Sequence, residues 1–132
     1  MEIQKEIDKA INLSQKGNYN KAKRIYEEIL REKPELAEIH YNLGIIQKIL
    51  NNLKEAEKSF DKAISLKKDF INAYYQMGNT KYKLNKFDES EIHYKKAISL
   101  NAKFIEAYIN LSRAQRELGR LKEAEENARI AL

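Results

Sequence analysis

Residues 37–70 read AEIHYNLGIIQKILNNLKEAEKSFDKAISLKKDF, and residues 71–104 read INAYYQMGNTKYKLNKFDESEIHYKKAISLNAKF. Laid over one another, the two stretches match in step. Gly44 stands above Gly78, Ala56 above Ser90, Phe60 above Tyr94 and Ala63 above Ala97. The same 34-residue step runs back to Ala10, Ala22 and Tyr26 and forward to Ser112, Ala124, Ala128 and Ala131. A fixed period of this length marks stacked units that each bury an apolar face against a neighbour, rather than one wrapped core.

Each unit reads as two helices. Ile39, Leu43, Ile46 and Leu50 recur at three- and four-residue steps and predict a helix over 35–50. Leu53, Ala56, Phe60, Ala63 and Ile64 predict a second over 53–66. The turn between them begins at Gly17, Asn51, Asn85 and Gly119, again in step. Gly and Asn are the residues that best tolerate the left-handed conformation just past a helix end. Between units, Pro34 blocks helix continuation, and Asp69 and Asn101 are expected N-caps. Gly44 and Gly78 are expected where paired helices approach most closely, with Ala56 and Ala63 opposite. Tyr26, Phe60 and Tyr94 are expected to fill the gap toward the following unit.

Composition agrees. The 132 residues are 34% charged and 42% hydrophobic, with four glycines and one proline. That balance suits amphipathic helices and leaves no flexible linker. We therefore expect one domain, 1–132, with repeats at 3–36, 37–70, 71–104 and an incomplete one at 105–132. Cysteine is absent, so disulfides and thiolate metal sites are excluded. No apolar run approaches the ~18 residues that span a bilayer, and the N-terminus lacks a secretory apolar stretch. A cytoplasmic chain with no membrane partner is the expectation. The net charge of +5 is spread over the repeats, with acidic residues interleaved throughout. A nucleic-acid face needs a basic stripe with few acids, so nucleic acid is not an expected partner.

No enzyme is expected. His40 and His93 fall in different units and lack the spacing of a metal pair, so neither a metal nor a cofactor is anticipated. His40 reads as a substitute for a core aromatic and His93 as a solvated helix residue. No nucleophile elbow or glycine-rich phosphate loop occurs, and no catalytic residue is assigned. Glu123, Glu125 and Glu126, and the pairs Lys67-Lys68 and Lys95-Lys96, read as solvated surface.

The pattern resembles the tetratricopeptide repeat family. With Ile3 as position 1 of the first repeat, Leu43-Gly44 stand at positions 7–8, Ala56 at 20, Phe60 at 24 and Ala63 at 27. The third repeat shows Tyr74, Met77-Gly78, Ser90, Tyr94 and Ala97. The fourth shows Tyr108, Leu111-Ser112, Ala124, Ala128 and Ala131. The resemblance covers essentially the whole chain. It implies an all-α fold, an α-solenoid wound as a right-handed superhelix of helix–turn–helix repeats. Departures occur in the first helix, where Glu6, Lys9 and Lys16 replace core residues and leave a narrow apolar face of Ile3, Ile7, Ala10, Ile11 and Leu13. The family's tyrosine at position 11 is replaced by Leu13, Gln47, Lys81 and Gln115.

The resemblance also implies a function: a scaffold that binds an extended peptide or partner segment on a concave face lined by the first helix of each repeat. Positions 5, 6 and 9 would supply Tyr41, Asn42, Tyr75, Gln76, Asn79, Asn110 and Arg113. Asn42, Gln76 and Asn110 stand at one position in successive repeats. A carboxamide both donates and accepts, so such a ladder could pair with a peptide backbone whatever its side chains; the same residues also read as ordinary solvated helix positions. Tyr41 and Tyr75 read equally as anchors and as packing between helices. Tyr74 and Tyr108 read as core. The clamp with which one subgroup holds a peptide's terminal carboxylate is not matched, since only Asn42 agrees with it. Leu121, Ile130 and Leu132 lack a following helix, which leaves two further expectations: a homo-oligomer stacking through the C-terminal helix, or the N-terminal array of a longer protein, for instance the substrate-recruiting part of a transferase.

Overall fold

The computed structural model describes residues 2–132, which form eight α-helices and no strand. The first four are α1 (Ile3–Gln15), α2 (Tyr19–Glu32), α3 (Ala37–Ile49) and α4 (Leu53–Leu66), and they make a compact unit reaching to Lys68. The last four are α5 (Ile71–Lys83), α6 (Phe87–Leu100), α7 (Ile105–Glu117) and α8 (Leu121–Ala131), in a second unit from Asp69 to Leu132. In each unit consecutive helices pack on one another. In the second unit α5 also touches α7.

The turn inside every repeat is set by its sequence. Gly17, Asn51, Asn85 and Gly119 have φ of 81, 63, 62 and 78°. The next residue then folds its N–H back onto the carbonyl at position 11: Asn18 to Leu13, Asn52 to Gln47, Lys86 to Lys81 and Arg120 to Gln115, at 2.7–2.9 Å. This is a Schellman closure, which satisfies carbonyls that the helix end would otherwise orphan.

The starts of the repeats differ from the expectation. Phe70 and Phe104, not Asp69 and Asn101, occupy the N-cap positions of α5 and α7, without a side-chain cap. Asn101 instead closes the C-terminus of α6, and its Oδ1 accepts the N–H of Lys103 at 3.1 Å. The phenylalanines are worth more as apolar plugs than as caps: Phe70 is buried, and Phe104 stacks on Tyr75 with centroids 4.7 Å apart.

In the first unit the core is a cluster of Ala10, Ala22, Tyr26, Ile29, Ile39, Leu43 and Ile46, so Tyr26 does reach into the following repeat. Phe60 and Tyr94 have a role the sequence reading missed. Each lies over the glycine of its own repeat: a Cβ on Gly44 would sit 2.7 Å from the Phe60 ring, and one on Gly78 2.6 Å from Tyr94. The glycine is there to admit a ring. Tyr74 is buried, while Tyr108 is half-buried with its hydroxyl on the Ala102 carbonyl at 3.1 Å. In α1 only Ala10 is fully buried, as its narrow apolar face implies.

Position 11 is polar yet buried in three repeats. Gln47 accepts from Ser59 Oγ at 2.6 Å. Lys81 reaches Glu89 at 3.0 Å. Gln115 accepts from Asn127 at 2.7 Å and donates to Glu91 at 3.1 Å. Glu91 is itself 5% exposed and is paired with Arg120 and, at 3.6 Å, with Lys95. Buried polar groups are tolerated when they are hydrogen-bonded in this way. Lys95 is therefore not simply solvated. Neither is Lys67, which pairs with Glu38 at 3.3 Å, nor Lys96, which lies over the Tyr74 ring at 5.9 Å.

Candidate functional site

In the first unit, residues of α1 and α3 surround a gap together with Tyr19 and Tyr26 of α2. The result is an open hollow of about 480 Å³. Its walls are Ile11, Ser14 and Gln15 from α1 and Tyr41, Asn42, Ile45 and Ile49 from α3. No charged residue lines it. Ile11 and Ile49 keep 39% and 49% of their surface in water, so the hollow presents apolar surface to solvent. Tyr41 is braced by Phe60, with centroids 5.8 Å apart. The Tyr26 hydroxyl is pushed above the ordinary tyrosine pKa by burial, partly offset by hydrogen bonds with Ser14 and Asn42.

Tyr41 and Asn42 were legible from their repeat positions. The isoleucines were missed, although position 9 reads Ile11, Ile45, Asn79 and Arg113 and so changes from apolar to cationic along the chain.

In the second unit the expected residues meet in a bonded chain. The Asn110 amide donates to the Tyr75 hydroxyl at 2.9 Å and to Asn79 Oδ1 at 3.1 Å. Tyr94 donates to the same Asn79 oxygen at 2.5 Å. Arg113 approaches Asn110 Oδ1 at 3.4 Å. Burial raises the Tyr94 pKa far above its ordinary value, against the opposing Ser90 hydrogen bond, so this hydroxyl keeps its proton and acts as a donor. Tyr75 packs on both Phe104 and Tyr94. Tyr75 thus packs within the unit, half-buried and held in place. Gln76 is half-buried on α5, and its carbonyl accepts the Thr80 hydroxyl at 2.8 Å.

Both histidines are half-buried and hydrogen-bonded to carbonyls, His40 to Pro34 and His93 to Glu89, each at 2.8 Å. Among the described residues no group of three or more His, Cys, Asp or Glu is placed to hold a metal. Among them too, no helix is long and apolar enough to cross a membrane.

Family models described as tetratricopeptide repeat match residues 5–36, 37–70, 71–104 and 93–126. No curated protein matches the chain. Among solved structures, MamA superposes with a TM-score of 0.95 at 23% identity, over 98% of this chain and 76% of its own. MamA 41-end from Desulfovibrio magneticus RS-1 gives 0.92 at 18% identity, over 98% and 73%. YrrB, described as a TPR protein with an unusual peptide-binding site, gives 0.87 at 23% identity, over 96% and 65%. At these identities the likeness establishes the fold, an all-α helical-repeat solenoid, and no more. With matched segments reaching from residue 5 to residue 126, the chain belongs to the tetratricopeptide repeat family.

Proposed function

We propose that the chain is a protein-interaction scaffold that holds an extended peptide or partner segment on the face made by the first helices of its repeats. The observation that carries this reading is the uncharged hollow between α1 and α3, in a chain that is 34% charged. Exposed isoleucine beside Tyr41 and the Asn42 carboxamide is the mixture of apolar anchor and adaptable polar contact that peptide grooves use. In the second unit Tyr75, Gln76, Asn79, Asn110 and Arg113 continue the same repeat positions. The description of YrrB as having a peptide-binding site is consistent with this use of the fold.

The test is affinity capture from the source lysate with three baits: wild type, Asn42→Ala/Gln76→Ala, and Ile11→Ser/Ile49→Ser. All four positions are exposed or half-buried, so helicity should survive. Partners held by wild type and lost by either variant support the reading. Partners held equally by all three would move the interaction off this face and end it.

A second reading, self-association through α8, has its own observation: Leu121 and Ile130 leave 66% and 54% of their surface exposed. Sedimentation showing a monomer at high concentration would dismiss it.

A further inference from the structure

Tyr26 carries a hydroxyl that its packing does not need. Tyr26, Phe60 and Tyr94 stand at the same repeat position, and all three rings are buried. Phe60 fills that place without a polar atom, so a ring alone suffices there. A buried hydroxyl costs free energy unless it is hydrogen-bonded. That of Tyr26 is bonded to Ser14 of α1 and to Asn42 of α3. Ser14 is itself fixed, its Oγ donating to the Ala10 carbonyl at 3.0 Å. Ser14, Tyr26 and Asn42 all line the hollow between α1 and α3. The hydroxyl therefore ties the Asn42 amide in one orientation at the wall of that hollow.

The second unit contains the same device. Tyr94 stands at the position of Tyr26, and Asn110 at that of Asn42. The Tyr94 hydroxyl donates to Asn79 Oδ1 at 2.5 Å, and the Asn110 amide donates to the same oxygen at 3.1 Å. In both units a buried tyrosine of one repeat orients a carboxamide of the next, directly in the first unit and through Asn79 in the second.

We propose that the Tyr26 hydroxyl positions Asn42 to pair with the backbone of an uncharged segment of a protein partner, one of whose apolar side chains fills the hollow between α1 and α3. The inference rests on the peptide-scaffold reading and adds the partner's chemistry and a positioning residue to it. A carboxamide carries two N–H donors and an acceptor oxygen, more than one hydroxyl can occupy, so Asn42 can hold Tyr26 and a peptide group together. Ile11, Ile45 and Ile49 beside it offer apolar contact. No charged residue lines the hollow, so a charged side chain seated there would lose its hydration without gaining a partner. Fixing the amide in advance removes the ordering cost that a free asparagine would bear on binding.

The test begins with selection of a random dodecapeptide display library on the wild-type chain. Enriched peptides should carry Leu, Ile, Met or Phe within an uncharged run. A synthetic copy of one is then titrated against wild type, Tyr26→Phe, Asn42→Ala and the double variant, with circular dichroism and urea unfolding to confirm that each is folded. Tyr26→Phe should weaken binding about threefold to tenfold, the factor that one net hydrogen bond produces. In the Asn42→Ala background the same change should do nothing further, because no amide is left to orient; a merely structural role would weaken both backgrounds alike. Unchanged binding by Tyr26→Phe, or an equal loss in both backgrounds, would overturn the inference, and binding still lost in Ile11→Ser/Ile49→Ser would leave the scaffold reading standing. Enriched peptides built on charged residues would overturn the inference too. Binding retained in Ile11→Ser/Ile49→Ser, or enrichment of no peptide, would overturn both readings.

Discussion

The ring of Tyr94 lies across Gly78 so closely that a Cβ on the glycine would stand 2.6 Å from both Cδ1 and Cε1. On an open helix, Gly→Ala gains about 1 kcal/mol in propensity. Here the methyl must displace a ring that is 1% exposed and tied by its hydroxyl to Asn79. Overpacking of that kind costs about 1–3 kcal/mol, so the steric term wins. Gly78→Ala should lower stability in urea unfolding, and Gly44→Ala should do the same against Phe60. In a Tyr94→Leu background the alanine should be tolerated, giving a coupling of at least ~0.5 kcal/mol in a double-mutant cycle. Additive effects would mean that the ring is not what excludes the side chain. The other two repeats bracket this relation: the fourth has Ala128 in place of the ring and Ser112 at position 8, whose Oγ reaches the Ala124 carbonyl at 2.7 Å, whereas the first accommodates Ala10 at position 8 together with the ring of Tyr26.

Asn85 turns the chain with φ of 62°. Alanine there must adopt the left-handed region at a cost of about 1–2 kcal/mol, while glycine meets no such penalty. Asn85→Ala should therefore reduce the unfolding free energy by about that amount and Asn85→Gly should not. An Asn85→Ala protein as stable as wild type would mean that the turn can relax to another geometry.

The fold was legible because its signals are local. A 34-residue step, helical spacing within it and Gly or Asn at each turn can all be read without knowing what lies opposite, and the turns at Gly17, Asn51, Asn85 and Gly119 appear where that reading puts them. What could not be read depends on meetings across helices. Asp69 and Asn101 look like caps in one dimension, but burial of Phe70 and stacking of Phe104 decide where α5 and α7 begin. Gln47, Lys81 and Gln115 look like lost core residues until Ser59, Glu89 and Asn127 are seen beside them. For the candidate site, repeat position was enough to name Tyr75, Asn79, Asn110 and Arg113. It could not say that three of them would be hydrogen-bonded to one another across α5 and α7, nor that Ile11, Ile45 and Ile49 would face one hollow.

Glu91 gives the chain an acid-sensitive point. Burial pushes its pKa up, but hydrogen bonds from Gln115 and Arg120 and the charges of Lys95 and Arg120 outweigh burial, and the net shift is downward from 4.5. A carboxylate whose folded pKa is depressed stabilises the protein above its unfolded pKa, and that stability is lost as pH falls through the folded value. Wild type should therefore lose part of its stability on acidification from about pH 5 to about pH 3, and Glu91→Gln should show a shallower loss over that range. At neutral pH the same substitution should cost about 1–3 kcal/mol, since it removes charge-assisted bonds to a nearly buried group. Parallel pH profiles for the two proteins would take Glu91 out of the acid response.

Tyr94 should govern the alkaline limb in the opposite sense. Burial raises its pKa well above 10.0. Its stabilising contribution is fully present below the unfolded value and is lost as pH rises through the interval between the unfolded and folded values. Unfolding in urea between about pH 8 and about pH 11 should show wild type weakening above pH ~10, with Tyr94→Phe declining less steeply because it has no proton to lose. At pH ~8 the phenylalanine variant should already be about 1 kcal/mol less stable, since Asn79 Oδ1 loses one of its two donors. The two curves should converge as pH rises. Curves that stay parallel would show that the Tyr94 hydroxyl does not titrate with unfolding, and the bonded chain from Tyr94 through Asn79 to Asn110 would then lose its anchor.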